Sequence, residues 1–215
     1  MTPRRYDLLA LDLDGTLLDP LGKVSEANRA AVLRARDAGM KIVVCTGRGL
    51  VECRYALEAI EQREPVVVAG GAIIADPVGG RTVQRFGIEL PLVKLTVEAM
   101  LAHEYPALVL KDPGEAGYDY LIVGAHRYPL DPVSQWWFAE MGIALRYVRE
   151  LERDPHPEHT VRVGACGSAE RMAKVKADLI AGLKDSAIVH HFPAVVAPDQ
   201  VKKGEYGTLH ILEVF

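Results

Sequence analysis

Short apolar runs alternate with helical patterns through the first third of the chain. Residues 6–13 form a nearly continuous apolar run, residues 41–45 contain Ile-Val-Val, and residues 65–69 contain Val-Val-Val. Runs of this kind are typical of strands that are buried on both faces. Between them, residues 25–39 and 50–62 carry helical patterns. The order strand, helix, strand, helix, strand predicts a parallel sheet with right-handed crossovers.

The pattern changes near residues 77–80, where Pro-Val-Gly-Gly is a turn signal. Helices and adjacent pairs of strands follow it. The predicted strands are residues 81–89, 107–111, 118–123, 143–148, 160–165, 187–196 and 208–215. The predicted helices are residues 92–102, 132–141 and 169–183. We therefore predict an α/β protein with a Rossmann-like parallel-sheet core in residues 1–78 and a second, α+β unit in residues 79–215.

Composition and charge narrow the function classes. The chain is 49% apolar and 25% charged, which is typical of soluble globular proteins. Its net charge of -4 gives no basic footprint for nucleic acid. No apolar run is long enough for a transmembrane helix or a signal peptide, and the three cysteines show no metal-binding spacing. We expect a cytoplasmic protein without nucleic-acid or membrane partners, and the oligomeric state stays open.

Two carboxylates, Asp12 and Asp14, stand where the first predicted strand ends, and Gly15 allows the chain to turn there. Ligands of open α/β sheets bind at the carboxyl ends of the strands. Two ionised carboxylates this close repel each other, so one holds a proton or both recruit a cation. Mg²⁺ prefers such oxygen ligands and bridges to phosphate. One carboxylate could attack phosphorus while the other passes a proton to the leaving group.

A second triplet, Thr46-Gly47-Arg48, directly follows the second predicted strand. A threonine hydroxyl and backbone N–H groups near the start of a helix suit a phosphate oxygen. Either triplet alone is weak evidence, because Asp-x-Asp and Thr-Gly-Arg occur in ordinary turns. Their joint position, after consecutive buried strands, predicts one phosphate site.

Residues 12–19, Asp-Leu-Asp-Gly-Thr-Leu-Leu-Asp, resemble the first motif of haloacid dehalogenase-like hydrolases. Thr46-Gly47-Arg48 is similar to their second motif, in the sugar-phosphatase-like subfamily with a large α/β cap. The resemblance implies that Asp12 is the nucleophile and Asp14 the general acid and base. It also implies that Asp12 and Asp14 bind Mg²⁺, through the Asp12 carboxylate and the Asp14 carbonyl. Thr46 and the Gly47 N–H would hold the phosphoryl group.

The resemblance also implies that residues 79–215 are an inserted α+β cap domain that closes over the site and selects the substrate. Members of this type often carry Asn-Gly-Ala after the third strand, where this chain has Gly70-Gly71-Ala72. Gly70, Gly71 and Arg48 are therefore candidate substrate-positioning residues, and the asparagine amide is missing.

The family has two further motifs after the cap, a lysine and an acidic Gly-Asp-x-x-x-Asp loop. No such loop occurs after residue 150, and Lys203-Gly204 matches the lysine motif only superficially. We expect the remainder of the core to be absent after residue 215. We also expect this chain alone to have little or no phosphatase activity.

The leading hypothesis is a magnesium-dependent phosphatase that hydrolyses a small phosphorylated metabolite, a sugar phosphate, through an aspartyl-phosphate. One alternative is a truncated or inactive relative that binds a phosphometabolite or a partner. Another is a phosphomutase, because the first motif serves both reactions. The segment from His156 to His159 could be read as a metal site, but its two prolines and loop setting favour an ordinary polar loop.

Overall fold

The computed structural model describes residues 6–194 and 209–215. The chain forms two compact units, Met1–Phe86 and Gly87–Phe215. The sequence placed this boundary near residue 78, too early, because the strand that follows the turn pairs back onto the first unit. Lys203 lies outside the described residues.

The first unit is built on a parallel sheet, as predicted. Strand β1 (Leu8–Leu11) pairs in parallel with β2 (Lys41–Val44), and Leu11 lies opposite Val44. A parallel bridge between Cys45 and Val67 places β3 (Val66–Val68) on the other side of β2. The strand order β1-β2-β3 therefore brings the carboxyl ends of the three strands to one edge.

An antiparallel hairpin extends this unit beyond β3. It consists of β4 (Ile73–Ala75) and β5 (Thr82–Arg85), and β4 pairs antiparallel with β3. The sequence assigned the second of these strands to the other unit. The pattern of β5 alone could not decide this, because pairing depends on the partner strand.

Two helices connect the parallel strands. Helix α1 (Glu26–Asp37) begins at Ser25, whose side chain accepts a hydrogen bond from the Asn28 N–H at 3.1 Å. Helix α2 (Leu50–Ala59) packs an apolar face inward, with Cys53, Ala56 and Leu57 buried. Both helices were predicted from the sequence, as residues 25–39 and 50–62.

Strand β1 is less buried than its apolar run predicts. Leu8 is 53% exposed, and within the described residues β1 pairs only with β2. Leu13, just beyond the strand, is fully buried. The prediction of a strand covered on both faces is wrong for the described residues. An apolar run indicates that burial of both faces of the strand is favourable, but it does not determine which elements pack against those faces.

The second unit contains a six-stranded sheet in the order β10-β11-β9-β6-β7-β8. Only the β7–β8 pair is parallel. The strands are β6 (Ala107–Lys111), β7 (Tyr120–Val123), β8 (Leu145–Val148), β9 (Thr160–Ser168), β10 (Val189–Pro193) and β11 (Leu209–Val214). The helices are α3 (Leu90–Ala102), α4 (Pro113–Ala116), α5 (Pro132–Glu140) and α6 (Ala169–Leu183).

Helices α3 and α6 cover one face of this sheet. The core there consists of side chains from both helices and from the central strands. Its fully buried members include Val93, Met100, Val109, Leu121, Val163, Met172 and Leu179. The sequence analysis predicted both helices, as residues 92–102 and 169–183. No helix among the described residues is both long and apolar enough to cross a membrane.

Two histidines meet on the neighbouring strands β10 and β11. The Nε2 atom of His191 lies 3.0 Å from the Nδ1 atom of His210. An N–H···N hydrogen bond needs one ring nitrogen that carries no proton, so this contact excludes two charged rings. Burial, and then the charges of His210 and Lys176, lowers the pKa of His191.

We expect the free energy of unfolding to fall as the pH drops from about 7 to about 5, because the unfolded chain then binds the proton that the folded His191 resists. The His191→Gln variant should show a smaller loss. Urea-unfolding midpoints at pH 7.5 and 5.5 measure it. His126→Gln, an exposed histidine elsewhere in this unit, is the matched control. An unchanged loss in His191→Gln would contradict the assignment.

Candidate active site

The chain turns sharply after β1 and presents two carboxylates to solvent. Asp12 is still extended, with φ −81° and ψ 158°, and Gly15 takes the left-handed conformation at φ 75°. Leu13 and Leu17 point inward and are buried, whereas Asp12 and Asp14 are exposed. The two leucines therefore anchor the turn and hold the carboxylates outward.

The pairing of β1 with β2 sets the position of Asp12. The Cys45 N–H donates to the Leu11 carbonyl at 2.9 Å. Asp12, the residue after Leu11, therefore lies beside the end of β2. Burial, and then the negative charge of Asp12, raises the pKa of the Cys45 thiol. Asp12 and Thr46 thus follow neighbouring parallel strands at the same edge of the sheet.

Backbone hydrogen bonds tie the Thr46 segment to the end of β3. The Thr46 N–H donates to the Val67 carbonyl at 2.9 Å, and the Gly70 N–H donates to the Thr46 carbonyl at 3.1 Å. The buried Thr46 hydroxyl accepts a hydrogen bond from the Arg48 N–H at 3.2 Å. Gly47 is exposed, and a Cβ atom placed there would meet nothing within 4 Å. Open space therefore lies above Gly47.

Three consecutive residues after β3 have left-handed backbones. The φ angles are 54° at Ala69, 68° at Gly70 and 101° at Gly71. Glycine adopts this region without the steric cost that other residues pay. The two glycines therefore allow the chain to reverse here, and the Ala69 N–H donates to the Arg48 carbonyl at 2.7 Å. They bring backbone, and no side chain, to this edge.

Arg48 contacts Asp14 directly, a pair that the sequence analysis did not predict. Its Nε and Nη2 atoms donate to the two Asp14 carboxylate oxygens at 2.9 and 2.7 Å. The Arg48 side chain is 8% exposed and that of Asp14 is 42% exposed. This bidentate arrangement is among the stronger hydrogen-bonded ion pairs in proteins.

Arg48 is also held from behind. Its Nη1 atom donates to the Glu52 carbonyl and to the Tyr55 hydroxyl, each at 3.2 Å. The Tyr55 hydroxyl donates to the Gly22 carbonyl at 2.7 Å. Burial lowers the pKa of Arg48, but the hydrogen bonds and charge of Asp14 outweigh it and raise that pKa. Tyr55 was missed because its spacing is ordinary for a helix that packs inward.

The oxygen atoms at this edge suit a hard divalent cation. The Asp12 carboxylate is exposed, and its Oδ2 atom accepts a long hydrogen bond of 3.5 Å from the Thr16 hydroxyl. The Asp14 carboxylate is already paired with Arg48. The available donor set is therefore the Asp12 carboxylate and backbone oxygens, which is chemically compatible with Mg²⁺.

Comparison with known proteins gives relatives of the same kind. The chain is 39% identical over 69 residues to the 5-amino-6-(5-phospho-D-ribitylamino)uracil phosphatase YcsE of Bacillus subtilis (strain 168), a match covering 32% of this chain and 28% of YcsE. It is 35% identical over 69 residues to the pyridoxal phosphate phosphatase YbhA of Escherichia coli (strain K12), covering 32% of this chain and 25% of YbhA.

A solved structure shows the same fold. A haloacid dehalogenase-like hydrolase from Bacteroides thetaiotaomicron superposes with a TM-score of 0.72 at 19% identity, covering 98% of this chain and 71% of that one. The family model for haloacid dehalogenase-like hydrolases matches residues 9–197, most of the chain. The chain therefore belongs to the haloacid dehalogenase-like hydrolase family.

Proposed function

We propose that this chain carries the nucleophile of a magnesium-dependent phosphatase that acts on a small phosphorylated metabolite, with a sugar phosphate as the expected class. The carrying observation is the exposed pair Asp12 and Asp14 at the carboxyl end of β1, beside the Thr46 segment. The names of YcsE and YbhA support a small phosphorylated metabolite as the substrate, because both name phosphatases of such compounds. In this proposal the second unit is the cap that selects the substrate.

The metal would be held by the Asp12 carboxylate and the Asp14 backbone carbonyl. Bound Mg²⁺ would neutralise charge on the phosphoryl oxygens and so favour attack by an anionic carboxylate. Thr46 and the Gly47 N–H would contact the same oxygens from the neighbouring strand end. The open space above Gly47 is consistent with a ligand there.

The reaction would proceed in two displacements. An Asp12 carboxylate oxygen attacks phosphorus, the ester P–O bond breaks, and Asp14 gives a proton to the departing alcohol oxygen. Water then attacks phosphorus of the aspartyl-phosphate, and Asp14 takes up the proton of that water. Inorganic phosphate leaves and the Asp12 carboxylate is restored.

Arg48 adds a condition to the role of Asp14. The Arg48 guanidinium donates to both carboxylate oxygens of Asp14 and so keeps them turned toward Arg48. Asp14 must therefore loosen from Arg48 before it can carry a proton to the leaving group. We infer that Arg48 is a positioning residue that holds Asp14 in the resting enzyme.

The same contact favours a second candidate function. Both Asp14 carboxylate oxygens accept hydrogen bonds from Arg48, and a chain in which this pair never opens would bind a phosphometabolite without hydrolysing it. Product analysis also separates a phosphomutase from a phosphatase, since a mutase forms an isomeric phosphate ester and no inorganic phosphate.

Replacing the nucleophile should abolish turnover. In a complete enzyme that supplies the lysine and acidic-loop motifs, we expect Asp12→Asn to lower kcat for phosphate release by at least about 1,000-fold, because an amide does not attack phosphorus. Substrate affinity should fall less or rise, since a negative charge beside the phosphate is removed. Phosphate release from a panel of sugar phosphates, with Mg²⁺ and with EDTA, measures the effect.

Asp37→Asn is the matched control, because Asp37 is an exposed aspartate in the last turn of α1. A ¹⁹F NMR signal from a beryllium fluoride adduct on Asp12 gives a readout that needs no turnover. Near-normal turnover in Asp12→Asn would contradict the assignment. An adduct without phosphate release would favour the binding candidate.

Arg48 should be sensitive to a charge-conserving change. We expect Arg48→Lys to lower the free energy of unfolding by about 1–3 kcal/mol, because lysine keeps the charge but loses the fork that contacts Asp14, Glu52 and Tyr55. Arg29→Lys should cost less than about 1 kcal/mol, because the Arg29 side chain is far more exposed than that of Arg48. Urea unfolding measures both variants, and equal costs would contradict the assigned role.

A further inference from the structure

We propose that the turn from His156 to His159, in the second unit, is a binding site for Zn²⁺ or a similar borderline divalent cation. His156, Glu158 and His159 each offer one ligand atom, and these atoms all lie within 4.8 Å of one another. The site is independent of Asp12 and Asp14 and uses a different donor chemistry. The contacts of this turn carry the inference.

The backbone of the turn brings the two imidazoles together. Pro157–His159 is a single 3₁₀ turn, closed by a hydrogen bond from the His159 N–H to the His156 carbonyl at 3.1 Å. A 3₁₀ helix has three residues per turn, so side chains three apart lie on the same side. The ring centroids of His156 and His159 are accordingly 5.8 Å apart.

The three side chains match the ligand set of zinc sites that keep an open position. Two imidazoles and one carboxylate commonly bind zinc, with a fourth, tetrahedral position left for water or another ligand. One pair is already close, since the His159 Nε2 atom lies 3.1 Å from the Glu158 Oε1 atom. Tetrahedral zinc places its donor atoms about 3.4 Å apart. Small side-chain rotations from the present spacing would reach that geometry.

A buried ion pair holds the turn in place. Lys111 is fully buried, and its ammonium group pairs with the Asp154 carboxylate and donates to the His156 carbonyl at 3.1 Å. The other Asp154 oxygen accepts from the His156 N–H at 2.9 Å. At the far end, the Asp112 N–H donates to the His159 carbonyl at 2.9 Å. Both ends of the turn are therefore fixed before any ligand binds.

Burying the Lys111–Asp154 ion pair costs desolvation free energy, which suggests that the conformation of the turn has a function. Removing two charges from water carries a desolvation cost that their mutual attraction repays only partly. Burial lowers the pKa of Lys111, and Asp154 opposes that effect. Lys111 and Asp154 neutralise each other, and Glu158 adds an exposed carboxylate beside the two imidazoles. One carboxylate and two imidazoles form a donor set that suits a divalent cation.

A buried tyrosine packs beside the turn. Tyr118 is 7% exposed, its ring centroid lies 6.1 Å from that of His156, and its hydroxyl interacts with the Asp154 carboxylate. Burial, and then the nearby Asp154 carboxylate, raises the pKa of Tyr118 to about 12, so the phenol stays protonated near neutral pH. Tyr118 therefore adds a buried contact to the segment that carries Asp154 and His156.

The donor atoms decide which metal fits. Imidazole nitrogen binds zinc, copper and nickel well, whereas Mg²⁺ favours oxygen ligands and keeps most of its water. This turn should therefore bind Zn²⁺ in the presence of excess Mg²⁺. That preference separates it from a site made of Asp12 and Asp14.

The test is zinc titration of the metal-free full chain by isothermal titration calorimetry with Mg²⁺ present. We expect one site for each chain, and the His156→Ala/His159→Ala variant should lose at least about 100-fold in affinity. The matched control is His190→Ala/His191→Ala, which removes two histidines of the same unit. Asp12→Asn should bind zinc like the wild type.

Co²⁺ is a second probe, because a four-coordinate nitrogen and oxygen site gives intense visible absorption bands that six-coordinate cobalt lacks. Glu158→Gln keeps an exposed, isosteric side chain and should weaken binding without affecting the fold, as judged by circular dichroism. Equal zinc affinity in the His156→Ala/His159→Ala variant would overturn the proposal. So would a wild-type chain without zinc binding, or one whose binding is lost only in Asp12→Asn.

Discussion

The parallel pairing of β1 with β2 is the constraint on which the candidate active site depends. Because Leu11 lies opposite Val44, Asp12 and Thr46 leave the sheet at the same edge. A shift of the β1–β2 register by one residue would move the side chains of β1 to the other face of the sheet and displace Asp12 from Thr46. The bridge from Cys45 to Val67 adds the end of β3, and so the two glycines, to that edge. One sheet edge therefore gathers groups that are far apart in the sequence.

Arg48 connects this edge to the packing beneath it. Its guanidinium is buried against α2, where Glu52 and Tyr55 accept hydrogen bonds, and its other nitrogens reach Asp14. The exposed carboxylate is thus oriented by a buried cation, which is the arrangement that a preorganised site requires. The same contact engages both carboxylate oxygens of Asp14. The proposed proton transfer therefore depends on how readily this contact opens.

In the second unit a buried ion pair fixes the conformation of a turn. The core of this unit is apolar and follows from the patterns of α3, α6 and the central strands. At one end of β6, however, the fully buried Lys111 and its partner Asp154 hold a surface turn in place. Ion pairs of this kind contribute little net stability, so their value lies in specifying one conformation. The His156–His159 turn is the part of the unit that gains from it.

The sequence by itself determined the family, the order of strands and helices apart from β4 and α4, and the positions of Asp12, Asp14 and Thr46, because these depend on local periodicity and on a short motif. The tertiary structure decided the rest. The pairing of β5 with β4 moved the unit boundary, and the solvent exposure of β1 depended on neighbours that an apolar run does not specify. The contact between Asp14 and Arg48 joins residues 34 positions apart. Such contacts arise from the packing of distant segments, and local sequence patterns carry no record of that packing.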